Sequence, residues 1–213
     1  MIAGGKRSAT HLVMNSATIL ALVVGYLLGS IPFGLLLTRL AGKGDIRDIG
    51  SGNIGATNVL RTGSKGLAAA TLLLDAVKGA VAVLIAQRLW PDAVNVAAIG
   101  ALIGHLYPVW LRFQGGKGVA TLLGILAPLS WQAAAVYAIV WLGLLLVLRI
   151  SSVAGMSAAA SAPLTAAVLG ETALLPMLLG FALLIIWKHR ENIRRLLKGE
   201  EPRVGKAKVE SST

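Results

Sequence analysis

Residues 118–148 read GVATLLGILAPLSWQAAAVYAIVWLGLLLVL, an apolar run without a single charge. How it is divided decides the fold. A membrane-spanning helix takes about 20 apolar residues, so this run is too long for one ordinary crossing and short for two. The break at Pro128-Leu-Ser-Trp131 argues for two short crossings, because proline lacks an N–H donor and disfavours helix at the residue before it.

Working outward, the other apolar stretches fall at about 16–41, 66–89, 93–111, 153–170 and 172–187. Trp90-Pro91-Asp92 marks the turn between the second and third of the seven. If 118–148 crosses twice, one side of the membrane collects 16 of the 20 basic residues. These are Arg39, Lys43, Arg47, Arg61, Lys65, Arg112, Lys117 and Arg149, with Lys188, Arg190, Arg194, Arg195, Lys198, Arg203, Lys206 and Lys208 in the C-terminal region. The other side keeps Lys6, Arg7 and Arg88, and Lys78 lies within the second stretch. Basic residues accumulate on the cytoplasmic side. The expectation is an all-α integral membrane protein of about seven transmembrane helices, N-terminus outside and C-terminus cytoplasmic. A five-span version with a re-entrant segment is the other reading.

Composition agrees with that class. Hydrophobic residues make up 56% of the 213, charged residues 14%, and the mean hydropathy is +0.77. Soluble domains carry about 25% charged residues. The net charge of +11 is read as the cytoplasmic bias of a membrane protein rather than as a nucleic-acid footprint. With no cysteine, disulfides, thiolate metal sites and a thiol nucleophile are excluded. The N-terminus imitates a secretory signal but lacks a small-x-small cleavage site, so it is read as a retained first helix. The chain is taken as one domain, 1–213, with an N-terminal extension at 1–15 and a polar tail at 202–213 that is expected to lie clear of the motifs.

With this topology every unusual polar segment lies at a cytoplasmic helix end. The segments are GDIRDIGSGNIGATNVLR (44–61), GHLYPVWLRFQGGKGVAT (104–121), RISS (149–152) and WKHRENIRRLLKGEE (187–201). Four separated segments on one face predict one composite active site there. Gly50, Gly52 and Gly55 satisfy G-x-G-x-x-G, but that fingerprint belongs to a strand–turn–helix unit, and the flanks here are membrane helices. Gly115, Gly116, Lys117 and Gly118 complete no Walker loop. Both loops still suit an anion: glycines let backbone N–H groups approach closely, and a helix N-terminus adds positive partial charge. Each comes with a cation, Arg61 or Lys117. A phosphate-type ligand follows.

Asp75 and Lys78 lie inside an apolar span in LLLDAVKG. Their i, i+3 spacing puts them on one helical face, either as a buried ion pair that packs the helix or as an edge of the active site. His105 admits the same two readings. In HREN, His189 and Asn192 share a face just beyond the last apolar stretch. No Ser-His-Asp set, H-E-x-x-H or paired-carboxylate pattern is present, and the few acids make no metal cage. Metal-independent group transfer involving a phosphorylated substrate at the bilayer surface is as far as the residues alone reach.

At these motifs the chain resembles the bacterial acyl-phosphate-dependent glycerol-3-phosphate acyltransferases. GSIPFG (29–34), DIRDIGSGNIGATNVLR (45–61), LLDAVKG (73–79), GHLYPVWLRFQGGKGVAT (104–121) and HRENIRRLLKGEE (189–201) carry the resemblance. It implies a seven-helix inner-membrane enzyme that moves a fatty acyl group from acyl phosphate to the 1-hydroxyl of glycerol 3-phosphate, giving lysophosphatidic acid and phosphate. It implies no cofactor and no metal, no nucleic-acid partner, contact with membrane lipids, and a functional link to the soluble enzyme that makes acyl phosphate. Carried across by motif, Ser51, Lys117, His189 and Asn192 would be catalytic. Gly50, Gly52, Asn53, Thr57, Asn58, Arg61, Gly115, Gly116, Gly118 and Ser152 would bind substrate or its phosphate. Asp75, Lys78 and His105 would stand behind them. With no carboxylate–histidine dyad legible, the resemblance favours substrate-assisted catalysis, a phosphate oxygen of glycerol 3-phosphate taking the hydroxyl proton. A membrane transporter of a phosphorylated small molecule is the alternative, weakened because transport sites usually lie near the midplane between repeats.

Overall fold

The structure is a computed structural model that describes residues 15–205; residues 1–14 and 206–213, which hold most of the extension and the tail, lie outside the described residues. Among the described residues all regular structure is helical. α1 (Ser16–Gly29) starts at Asn15, whose side-chain oxygen accepts the Thr18 N–H. It stops before Pro32 and resumes as α2 (Phe33–Leu40). The break leaves carbonyls without helical donors, and side chains from elsewhere satisfy them. Trp110 donates to the Ser30 oxygen at 2.7 Å and Lys78 to the Ile31 oxygen at 2.7 Å.

A short α3 (Ala56–Val59) follows the Gly-rich loop, then the long α4 (Lys65–Leu89), α5 (Val94–Leu106), α6 (Val119–Leu129) and α7 (Trp131–Leu148). The deciding stretch is therefore two helices. Only Ser130 separates them, and its hydroxyl caps α7 by accepting the Ala133 N–H. α8 (Ser151–Val168), α9 (Leu175–Lys188) and α10 (Arg190–Leu197) complete the chain.

The seven apolar stretches all form helices, but they are not alike. By length and apolarity, four segments among the described residues can cross a membrane: Ser16–Leu40, Lys65–Leu89, Pro91–Leu111 and Trp131–Leu148. A fifth qualifies if α9 and α10, bent by 57° against each other, are counted together. α6, at 11 residues, is about 17 Å long against a hydrocarbon core of about 30 Å. α8 is built from Ala, Ser and Gly, and buries Ala154, Gly155, Ala158, Ala159, Ala162 and Ala166. Its sequence is selected for close packing rather than for lipid.

Small residues set the closest approaches. Between α1 and α5, a Cβ added to Gly29 would lie 2.0 Å from the Ala101 oxygen, and one on Gly25 would lie 2.3 Å from the Ala97 oxygen. Gly100 and Gly104 press in turn on Leu22 and Tyr26. Two interlocked G-x-x-x-G pairs thus run in the same direction, the close-contact mode of membrane helices. Gly124 meets the backbone of Ala76 in the same way, joining α6 to α4. The core is filled by Leu102, Leu106, Leu122, Ile125, Tyr137, Leu178 and Ile185. Ile139, Leu146 and Val147 of α7 point outward, each at least 70% exposed. At one end, Ser130 donates to Glu171 at 2.9 Å and Gln87 donates to the Pro128 oxygen at 3.0 Å, gathering three turns. The polar motifs gather at the other end.

Candidate active site

The first motif folds around one side chain. Asn58, 2% exposed, donates through Nδ2 to the Ile46, Ile49 and Asn53 carbonyls at 2.8, 3.1 and 2.8 Å. Its Oδ1 accepts the Ser51 N–H at 3.2 Å. Gly50 is left-handed (φ 59°), and a Cβ there would strike Arg61 and Asn58. Asn53 closes an Asx turn onto the Gly55 N–H at 2.9 Å. Arg61 emerges from this loop with no hydrogen bond or ion pair to any described residue.

The second motif is held by backbone. The Gly115 and Gly116 N–H groups donate to the Leu106 and His105 oxygens at 3.2 and 3.0 Å, zipping the loop onto the end of α5. Lys188 of α9 donates to the same Leu106 oxygen. Gly118 is left-handed (φ 87°) and starts α6. The Lys117 ammonium reaches Asn192 Oδ1 in a short hydrogen bond. Burial pushes the Lys117 pKa down to about 8; Glu201 pulls the other way, while Arg195, Arg61 and Lys188 add repulsion.

The third and fourth motifs meet at a carboxylate. Glu201 Oε1 accepts from the Ser152 hydroxyl at 2.7 Å and from Asn192 Nδ2 at 2.6 Å, and Oε2 accepts from Arg195 at 2.7 Å. Burial raises the Glu201 pKa, but these three hydrogen bonds outweigh it and leave the carboxyl below its ordinary value. His189, in the link between α9 and α10, donates from Nδ1 to the Ile185 oxygen at 2.7 Å. That leaves Nε2 as an acceptor. Burial, followed by the Lys117 charge, pushes the His189 pKa down to about 4, so the ring is neutral at pH 7.

These residues enclose a cavity of about 270 Å³. Ser51, Asn53, Thr57, Arg61, Lys117, Gly118, Ser152, His189 and Asn192 supply its polar lining. Ala68, Ala69 and Leu72 of α4, with Trp141 and Leu145 of α7, form an apolar slot. Asp75 and His105 line it as well, while Lys78 stands behind Asp75, which it holds at 2.6 Å.

Several expectations change in detail. Asn58 lines the cavity, but all its hydrogen-bonding capacity is committed to the loop, so it builds the site rather than gripping a ligand. The Gly115 and Gly116 N–H groups are likewise committed to α5. Among the described residues the Lys117 and Gly118 N–H groups, with those of Val119 and Ala120 in the first turn of α6, have no backbone acceptor and remain for a phosphate. Gly50 and Gly52 shape the loop from outside the cavity lining. Ser152 lies in the first turn of α8, not in a loop. The tail does not lie clear of the motifs: Pro202 and Val204 line the cavity, and the Val204 N–H donates to the Arg149 oxygen at 2.7 Å. Sequence reasoning passed over Glu201 and Ser151, whose hydroxyl bonds Thr57 at 2.8 Å. The signal for Glu201 was an acid closing the HRENIRRLLKGEE motif.

The family model described as glycerol-3-phosphate acyltransferase matches residues 19–199. The chain belongs to that family. A glycerol-3-phosphate acyltransferase of Erythrobacter litoralis is 60% identical over 186 residues, covering 87% of this chain and 94% of its own. One from Mesorhizobium japonicum is 56% identical, covering 90% and 98%. Among solved structures, PlsY (YgiH), an integral membrane glycerol 3-phosphate acyltransferase in its glycerol 3-phosphate form, superposes with a TM-score of 0.84 at 40% identity. The match covers 89% of this chain and 96% of that one. Its lysophosphatidic acid form gives a TM-score of 0.82 at 39% identity. Family membership makes the chain a glycerol-3-phosphate acyltransferase and a multi-pass membrane protein.

Proposed function

We propose that the cavity transfers a fatty acyl group from acyl phosphate to the 1-hydroxyl of glycerol 3-phosphate, releasing lysophosphatidic acid and inorganic phosphate. The observation that carries this is the pairing of an apolar slot (Leu72, Trp141, Leu145) with two cations, Arg61 and Lys117, around one small cavity. An acyl phosphate has that polarity. Its tail would enter sideways from the bilayer between α4 and α7. Its phosphate would meet Lys117 and the free N–H groups at the α6 N-terminus. Arg61, with Ser51, Asn53 and Thr57, would hold the acceptor's phosphate. Ser152, His189 and Asn192 would orient the acceptor.

The hydroxyl oxygen attacks the acyl carbonyl carbon and forms the new ester C–O bond as the anhydride C–O bond to phosphate breaks. The hydroxyl proton passes to a phosphate oxygen of glycerol 3-phosphate. The protein supplies alignment and neutralises the departing phosphate. Phosphate is already a good leaving group, so charge stabilisation by Lys117 suffices for that role.

In this reading seven helices cross a bacterial inner membrane, N-terminus outside, C-terminus and active site cytoplasmic. The basic residues clustered at the cavity end and the parallel packing of α1 and α5 support it. The substrate would come from the soluble enzyme that makes acyl phosphate. The test is phosphate release by the purified protein in lipid, given palmitoyl phosphate and glycerol 3-phosphate. Release should require both, fail with palmitoyl-CoA and collapse in Lys117→Ala. No acceptor-dependent release from folded protein would overturn the reaction.

A further inference from the structure

The reaction above leaves a buried polar cluster without a task. Asp75 and Lys78 of α4 are 3% and 4% exposed, and His105 of α5 is 4% exposed. Lys78 bonds Asp75 Oδ1 at 2.6 Å and the Ile31 carbonyl at 2.7 Å, where Pro32 interrupts the first helix. His105 Nδ1 lies 3.8 Å from Asp75 Oδ1 and has no hydrogen-bond partner. An orphaned nitrogen buried in a helix end is a cost that a leucine would not carry. The other edge of the ring faces the Gly-rich loop. A Cβ on Gly116 would lie 2.1 Å from His105 Nε2 and 2.6 Å from Cε1, so the ring lies directly against the glycine. The His105 carbonyl also accepts the Gly116 N–H. Lys117 is the next residue.

We propose that His105 is a positioning residue: its ring, seated on the Lys78–Asp75 pair, sets the height of the 115–118 loop and so the place of Lys117 in the cavity. This rests on the phosphate-binding role assigned to Lys117. A carboxylate–histidine base is the arrangement it argues against. At 3.8 Å the Asp75–His105 approach is longer than a hydrogen bond, Asp75 Oδ1 is already taken by Lys78, and Nε2 abuts glycine. The fit is mutual. The ring occupies the only space a side chain at 116 would use, so histidine at 105 requires glycine at 116.

That reciprocity gives a double-mutant cycle. Purified protein in lipid is assayed for acceptor-dependent phosphate release against both substrates, and palmitoyl phosphate binding is measured separately without acceptor by calorimetry. His105→Ala is expected to raise the KM and Kd for palmitoyl phosphate about tenfold and to lower kcat, while the KM for glycerol 3-phosphate changes by less than about threefold. His105→Gln, which keeps bulk and polar reach, should recover most of the loss. Gly116→Ala should show the same KM-led defect in the wild-type background. In the His105→Ala background the added methyl has room, so the double variant should be no worse than His105→Ala alone. Additive losses, or a glycerol 3-phosphate KM that rises as much as the palmitoyl phosphate KM in both histidine variants, would overturn the positioning role. Circular dichroism on each variant separates misfolding from misplacement, and the volume-matched His105→Gln variant decides if His105→Ala does not fold. Wild-type protein that binds palmitoyl phosphate but releases no phosphate would fail the assigned reaction. The Kd cycle would still decide on His105.

Discussion

The two Gly-rich loops carry the same compositional signature, glycines and a cation before a helix, yet they are built by opposite means. The 49–61 loop is organised by one buried amide, Asn58, and leaves its cation Arg61 without a partner among the described residues. The 113–118 loop is organised by its own backbone against α5, and its cation is buried and already bonded to Asn192. A loop held by a side chain is vulnerable to one substitution and can offer a mobile clamp. A loop held by backbone pairing tolerates side-chain change except where a glycine touches a ring, and can hold a charge at a fixed point. The first suits an acceptor that must enter and leave. The second suits a leaving group whose charge develops at one place.

Four substitutions or conditions test that contrast, beginning with the largest. Lys117→Ala should lower kcat about 10³-fold, the scale of losing a preorganised charge donor, with unchanged thermal unfolding, measured by phosphate release and a melting curve. Asn58→Ala should instead act through stability. Four hydrogen bonds disappear and buried carbonyls lose their donor, so unfolding should ease by about 3 kcal/mol, read as a lower melting temperature and faster proteolysis within 44–61. Were Asn58→Ala to melt like wild type and only bind substrate poorly, the contrast between the loops would fail. Arg61→Ala should leave melting untouched and raise the KM for glycerol 3-phosphate about tenfold, as expected for a charged contact to phosphate of about 1.5 kcal/mol.

The smallest effect is a pH dependence. The Lys117 pKa stands at about 8; below that value the ammonium is charged and above it is neutral. Phosphate affinity should therefore weaken as pH rises from 7 to 9. The KM for the phosphate ligand held by Lys117 should climb less than about tenfold, because the bound anion itself favours the charged form. Lys117→Arg, which stays charged throughout, should flatten the profile. A slope unchanged in Lys117→Arg would assign the titration elsewhere.

Much of this site was legible in the chain. Gly-rich segments beside lone cations in an apolar protein point to an anion, and Arg61, Lys117, Ser152, His189 and Asn192 do line one cavity. What sequence could not separate was contact from construction. Asn58 and Arg61 lie three residues apart in one motif, and only the hydrogen bonds show that the first is consumed by the loop and the second is free. Gly115 and Gly116 read as phosphate cradles until α5 is seen to accept their N–H groups. Glu201 closed a legible motif, but its role was not legible, because its meaning is three donors from positions 152, 192 and 195.

By itself the sequence determined that this is a membrane protein, that 118–148 is two helices, and that its polar chemistry gathers at one end. Those are properties of local composition: a proline followed closely by a capping serine interrupts a long apolar run, and most charges are kept out of hydrocarbon. Only tertiary structure decided that α8 is an internal packing helix, that the tail closes a wall of the cavity, and that Asp75, Lys78 and His105 stand in line beneath Gly116. These depend on which helices touch. Helix contacts in lipid are set by close fits of small residues, such as Gly29 against Ala101, which leave little trace in hydropathy.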